Sequence, residues 1–157
     1  MAVKILLADD HEVVRQGLRT ILKARPEWEI IGEAENGQQA IDAVRELRPD
    51  VVILDITMPV MSGLEATQAI YNLHIGAHVL IFTMHDSRSL VKAVRKAGSD
   101  AYVLKSRAAR DLIKAVEAML GGGSFFGPEN GWTGEEAQNP KASNLLCRGA
   151  FMCLTII

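Results

Sequence analysis

The chain has 157 residues, 48% of them hydrophobic, with 17 basic and 19 acidic side chains and a formal net charge of −2. That length suits one domain able to bury roughly two-thirds of its unfolded surface, and the balanced charge, without a block of like residues, leaves no electrostatic footprint for nucleic acid or an anionic membrane. No apolar run approaches the ~20 residues of a bilayer span and no secretory leader pattern opens the chain; the expectation is a cytoplasmic protein without a membrane partner, its two cysteines, Cys147 and Cys153, reduced and lacking zinc-site spacing.

In chain order, the apolar run from Val3 to Ala8 predicts a first strand that ends in Asp9 and Asp10. Val13, Val14, Leu18, Ile21 and Leu22 then recur at helical spacing, and Pro26 closes that amphipathic helix. Trp28 to Ala34 reads as a shorter, more polar strand nearer a sheet edge. Asn36 with Gln39 makes a capping-box start for a second helix that turns Ala40, Ile41, Val44 and Leu47 inward and stops at Pro49. Val51 to Leu54 is four apolar β-formers in a row, the pattern of a strand buried on both faces, and Asp55 stands where it emerges.

Ser62 and Glu65 predict a capped third helix that ends near Gly76. His78 to Phe82 forms a fourth strand ending in Thr83, and a fourth helix from Asp86 and Ser87 places Leu90, Val91 and Val94 on one face before Gly98. Ala101 to Leu104 is a fifth strand ending in Lys105; a fifth helix begins at Ser106 and carries Leu112, Ile113, Val116 and Leu120, until Gly121, Gly122 and Gly123 end regular structure.

Five repetitions of strand then helix call for an α/β fold, a doubly wound parallel sheet with helices on both faces. Its strands end in Asp9 with Asp10, in Asp55, in Thr83 and in Lys105, so side by side they bring those groups to one surface. Each residue alone has an ordinary use as a cap, a strand end or a solvated lysine. Crowded carboxylates repel, so their pKa values rise or a cation intervenes. Magnesium suits that role, with Asp10 and Asp55 as oxygen ligands and Asp9 orienting a bound water. An aspartate so neutralised can attack a phosphoryl group, with Lys105 as a point charge and Thr83 as a hydroxyl donor for its oxygens.

Asp9 and Asp10, Asp55 followed by Met58, Pro59 and Gly63, Thr83, and Tyr102 ahead of Lys105 together resemble the receiver domain of two-component response regulators over about residues 2 to 121. His11, His85 and Asp86, Ala97 and Gly98, and the exit from Gly123 to Glu129 are most similar to the NarL/FixJ (LuxR-type) branch. The resemblance implies a flavodoxin-like sheet of strand order 2-1-3-4-5. It implies that Asp55 accepts a phosphoryl group from a sensor histidine kinase, that Asp9 and Asp10 build a Mg2+ site completed by the Thr57 backbone carbonyl, and that Thr83 and Tyr102 switch the surface of the fourth helix and fifth strand for homodimerisation or partner binding. Such a domain is a signalling module rather than an enzyme. Two departures stand out: Ser106 replaces a common proline after Lys105, and Met84 follows Thr83 where other branches carry a small residue, a bulk expected to slow hydrolysis of the phosphorylated state.

Other readings compete with this one. A pseudo-receiver would keep the fold and act only as an interaction module. A phosphatase of the haloacid dehalogenase type wants a second carboxylate two residues after its aspartate, where this chain has Thr57, and a flavin site would not place Asp9, Asp10 and Glu12 after the first strand. The patterning assigns residues 1–121 to the receiver and 122–157 to a linker and short irregular tail. From Ser124 onward only Lys141 and Arg148 are basic, against Glu129, Glu135 and Glu136, so no complete DNA-binding output domain and no DNA binding by this chain alone are expected. A truncated or frameshifted product is the leading reading of that tail, with a short partner-binding segment as the alternative.

Overall fold

The structure, a computed structural model, describes residues 2–126. The expectations for the tail beyond them, including its cysteines, lie outside the described residues. Five strands alternate with five helices: β1 Val3–Ala8, α1 Glu12–Leu22, β2 Trp28–Ala34, α2 Gly37–Leu47, β3 Val51–Leu54, α3 Gly63–Asn72, β4 His78–Thr83, α4 Arg88–Lys96, β5 Ala101–Leu104 and α5 Ala108–Leu120. All pairings are parallel, in the order β2-β1-β3-β4-β5. The chain winds from β1 to β2 on one side and through β3, β4 and β5 on the other, so the direction of winding reverses between β1 and β3, and the crevice beyond their carboxyl ends is where such sheets hold ligands.

Period-two alternation sorts the strand side chains into two layers. Ile5, Leu7, Ile53, Leu80, Phe82 and Val103 pack with Leu18 and Leu22 of α1 and with Leu112, Ala115, Val116 and Met119 of α5. On the opposite face Leu6, Ala8, Leu54, Val79, Ile81 and Tyr102 pack with Ala40, Ile41 and Val44 of α2, Ala66 and Ile70 of α3, and Val94 of α4. β3 is buried on both faces along its whole length, which is why it carries no polar residue. Each large apolar side chain hidden here contributes about 1.5–3 kcal/mol.

Helix ends follow local chemistry. The Asn36 side chain accepts the Gln39 amide at 2.9 Å, while Gln39 returns a bond to the amide of Glu35 rather than Asn36, closing its box one residue early. Ser62 and Glu65 form the full reciprocal box, the Ser62 amide donating to Glu65 Oε2 at 2.9 Å and the Glu65 amide to Ser62 Oγ at 3.3 Å. Gly98 leaves α4 with φ of 104°, and a Cβ there would lie 2.5 Å from the Tyr71 ring, so both conformation and space demand glycine.

The structure corrects three inward assignments. Val13 is 79% exposed, because α1 starts only at Glu12 and its first turn overhangs the sheet end; Arg15 is buried with Leu18 and Leu22 instead. Leu120 and Leu47, each on the last turn of its helix, are exposed, and Met119 fills the core position beside Val116. Lys105–Arg107 forms a separate 3-10 turn, so α5 begins at Ala108 rather than Ser106. Past Gly121 the chain returns to the sheet: Phe125 bridges Ala101, its carbonyl accepting the Tyr102 amide at 2.7 Å, and Arg95 lies 4.3 Å above the Phe126 ring.

Gly63 fixes how close α3 comes to the end of β3. Its amide donates to the Ile56 carbonyl at 2.8 Å, and a Cβ at this position would stand 2.0 Å from the carbonyl oxygen of Asp55. Backbone cannot give way as a flexible side chain does. Gly63→Ala is expected to cost about 3 kcal/mol or more in a urea titration; a loss below about 1 kcal/mol would show that the turn repacks freely.

Candidate functional site

Ala8 of β1 lies opposite Leu54 of β3, and the Asp55 amide donates to the Ala8 carbonyl at 2.9 Å. The next residue on each strand is therefore a carboxylate at the reversal of strand order. Asp9 and Asp55 are 1% and 5% exposed, which makes their mutual repulsion costly. Lys105, from the turn after β5, answers it: Nζ donates to Asp9 Oδ2 at 2.8 Å and to Asp55 Oδ2 at 3.1 Å, and lies 5.9 Å over the Phe82 ring. The His11 amide donates to Asp9 Oδ1 at 2.8 Å, and His11 Nδ1 lies 3.0 Å from Asp10 Oδ1. One ligand atom from each of Asp9, Asp10, His11 and Asp55 falls within 4.8 Å of all the others. Among the described residues this is the one group of its kind.

Burial raises the pKa of Asp55, and the neighbouring Asp9 charge adds to it, against the lowering effect of the Lys105 hydrogen bond and charge. Burial also opposes the Lys105 charge, but its hydrogen bonds to Asp9 and Asp55 and their charges prevail and raise its pKa. The site thus holds two carboxylates on one ammonium, a net negative pocket that fits a hard divalent cation.

The loop after β3 is shaped around Asp55. The Thr57 amide approaches Asp55 Oδ1 at 3.4 Å, and the Met61 amide donates to the Pro59 carbonyl at 2.8 Å across Val60. Val60 has φ of 69° and is 84% exposed, a tight turn in a backbone region that β-branched residues avoid. Met84 is also exposed.

Thr83 and Tyr102 belong to the other layer, with α3 and α4. The backbone of His85 joins them, its amide donating to Thr83 Oγ1 at 3.3 Å and its carbonyl accepting the Tyr102 hydroxyl. The Tyr102 ring is buried, and burial raises its pKa.

Arg15 and the contacts that His11 and the His85 backbone make at the site escaped the sequence reading. Arg15 is buried yet charged: Nη1 donates to the Asp9 carbonyl at 2.6 Å and Nε to Glu33 Oε2 at 3.0 Å, while Nη2 pairs with Glu12 and Glu35. Burial opposes its charge, but the Glu33 hydrogen bond and the three carboxylates outweigh it and raise the pKa. The hint available in the sequence was Glu12 three residues before Arg15, with Glu33 and Glu35 flanking the end of β2.

Two outcomes follow from these electrostatics. Without divalent metal, Asp55→Asn is expected to stabilise the fold at neutral pH by about 1 kcal/mol in urea, since it relieves a buried charge while Asp9 retains Lys105. Because the folded pKa of Asp55 is raised, the native state binds the extra proton between the ordinary carboxylate range and that value, so the gap between variant and parent should shrink as pH falls through it. A gap that widens on acidification would reverse this reading. Arg15→Met should lose about 2 kcal/mol, with part regained in the double variant carrying Glu33→Gln; strict additivity of the two changes would show that the pair is uncoupled.

Comparison with known proteins agrees with this geometry. The family model described as "Response regulator receiver domain" matches residues 5–117. The transcriptional regulatory protein DegU of Brevibacillus brevis is 36% identical over 127 residues, 81% of this chain and 54% of that protein; the chain spans little more than half the length of the curated relatives it matches. A LuxR-family two-component response regulator from Aurantimonas sp. SI85-9A1 superposes with a TM-score of 0.78 at 34% identity, over 92% of this chain and 99% of that one. The isolated receiver domain of RcsB from Salmonella enterica serovar Typhimurium, solved in the presence of the phosphomimetic BeF3−, gives a TM-score of 0.75 at 28% identity, over 82% and 95% of the two chains. With the strand order, the carboxylate pair and Lys105 all in place, the chain belongs to the response regulator receiver family, on its NarL/LuxR-type branch.

Proposed function

We propose that this domain is a phosphoacceptor that receives a phosphoryl group on Asp55 from a sensor histidine kinase. The observation that carries the reading is the convergence, at the reversal of strand order, of Asp9, Asp10 and Asp55, with ligand atoms within 4.8 Å of one another, and of Lys105 bonded to Asp9 and Asp55. The Asp55 carboxylate forms a bond to phosphorus as the bond from phosphorus to the donor imidazole nitrogen breaks, and the electron pair stays on that imidazole. Lys105 then exchanges a carboxylate partner for a phosphoryl oxygen. Asp9, Asp10, Asp55 and the Thr57 backbone carbonyl would hold a magnesium ion, an all-oxygen donor set suited to it. The chemistry such an ion supplies is neutralisation of charge on the phosphoryl oxygens.

The switch reading rests on the two backbone groups of His85. If the Thr83 hydroxyl turns to the phosphoryl group, the His85 amide loses its acceptor, and the carbonyl that holds the Tyr102 hydroxyl is loosened with it. The surface of α4 and β5 would change, and with it homodimerisation or binding of an output partner. Relatives that match this chain are named transcriptional regulators, so the signal is proposed to end in transcription.

Incubation with acetyl phosphate or a panel of histidine kinases should label Asp55 in a magnesium-dependent manner, with the base lability of an acyl phosphate. Undiminished labelling of Asp55→Asn, or full labelling in excess chelator, would sink the mechanism.

A further inference from the structure

Asp10 is followed by a side chain whose chemistry differs from every other donor in the pocket. His11 Nδ1 lies 3.0 Å from Asp10 Oδ1 and 3.3 Å from Asp9 Oδ1, and the ligand atoms of Asp9, Asp10, His11 and Asp55 span no more than 4.8 Å. At the roughly 2.0–2.2 Å typical of small divalent cations, opposite ligands stand at most about 4.4 Å apart, so a closure of a few tenths of an ångström brings these atoms around a single ion. The imidazole is placed by local structure rather than by burial. Its own amide is tied to Asp9 Oδ1 at 2.8 Å, His11 is the residue at the head of α1, and its ring makes no side-chain cap to that helix. At 66% exposure the ring is free to pivot from the carboxylates toward an incoming ion.

We infer that His11 makes this pocket a mixed oxygen and nitrogen site that favours first-row transition ions such as Mn2+ and Ni2+ over Mg2+. Magnesium takes oxygen ligands and keeps its waters, so an imidazole adds little to its binding. Manganese accepts imidazole beside carboxylate, and nickel gains more, as expected from ligand softness and the order of divalent affinities. Asp9 and Asp55 spend one oxygen each on Lys105, at 2.8 and 3.1 Å. That leaves a small set of carboxylate oxygens for an ion, so one extra nitrogen donor weighs heavily in the choice of metal. The inference rests on the acidic pocket being the cation site proposed above.

Calorimetric titration of the untagged chain at about pH 8, above the ordinary imidazole range, would measure Mg2+, Mn2+ and Ni2+ affinities for the parent, His11→Ala, His11→Gln and Asp10→Asn. Competition by Mg2+ would show whether the ions share one pocket. The parent should hold Ni2+ and Mn2+ more tightly than Mg2+. Both His11 variants should lose about tenfold or more in Ni2+ affinity while Mg2+ changes far less, and pulsed electron paramagnetic resonance of bound Mn2+ should detect an imidazole nitrogen coupling that His11→Ala abolishes. Equal losses for Ni2+ and Mg2+, no loss for either, or a Mn2+ spectrum without nitrogen coupling would overturn the inference while leaving Mg2+ binding by the carboxylates intact. Retained, His11-dependent Ni2+ binding by a chain that takes up no Mg2+ would uphold the inference and sink the magnesium reading. Absence of all binding would sink both.

Discussion

The arrangement depends on one ammonium group shared between two buried carboxylates. Asp9 and Asp55 are brought together by the pairing of β1 with β3, and water does not reach them well enough to screen their repulsion. Lys105 contacts both, from a turn that follows β5 at the other edge of the sheet. Its reach across the strand ends ties the edge of the sheet to its middle. The pocket stays short of positive charge even so, with two carboxylates on one lysine and Asp10 beside them; burial, with the Asp9 charge adding to it, keeps the Asp55 pKa raised.

Strand alternation divides the site into two halves, one in each layer. Asp9, Asp55 and Lys105 continue the parity of Leu7, Ile53 and Val103, the layer covered by α1 and α5. Thr83 continues the parity of Ile81, the layer that Tyr102 shares with α4. The carboxylates and Lys105 thus lie on one side of the sheet end, and the contacts of Thr83 and Tyr102 on the other. The backbone of His85 spans the second half, bonding Thr83 through its amide and Tyr102 through its carbonyl. Phe125 extends the same edge, since its carbonyl takes the Tyr102 amide. β5 and the chain at Phe125 are therefore tied together through the backbone.

Positioning of the acidic loops is carried by groups outside the pocket. Arg15 reaches from α1 to the Asp9 carbonyl and is itself held by Glu12, Glu33 and Glu35, so the β1 loop is tied to the end of β2. Gly63 presses α3 against the Asp55 carbonyl, and Gly37 does the same for α2 and Met61, where a Cβ would come within 2.5 Å of the Met61 carbonyl oxygen. These contacts leave little freedom for the loop from Ile56 to Met61, and Val60 absorbs the remaining turn in a left-handed conformation.

What the sequence determined by itself is the set of elements and the residues at their ends. A strand buried on both faces has to be apolar throughout, so Val51 to Leu54 announces itself, and the capping chemistry of Ser62 with Glu65 needs only neighbours in the chain. Asp9, Asp10, Asp55, Thr83 and Lys105 were legible for the same reason: a polar residue that ends an apolar strand breaks a pattern with a known period. The strand order came only through resemblance. Tertiary structure alone decided which charges are buried. Arg15 looks like a solvated helix residue because two of its partners, Glu33 on β2 and Glu35 just past it, lie 18 and more positions away, and the cost of burying it is met only once they join Glu12. Val13 satisfies the helical spacing, yet lies outside the core because spacing fixes an angle around the helix and not where the sheet beneath it ends. His11 and the His85 peptide acquire their contacts from folding of the strand-end loops, where no periodicity reports which groups will meet.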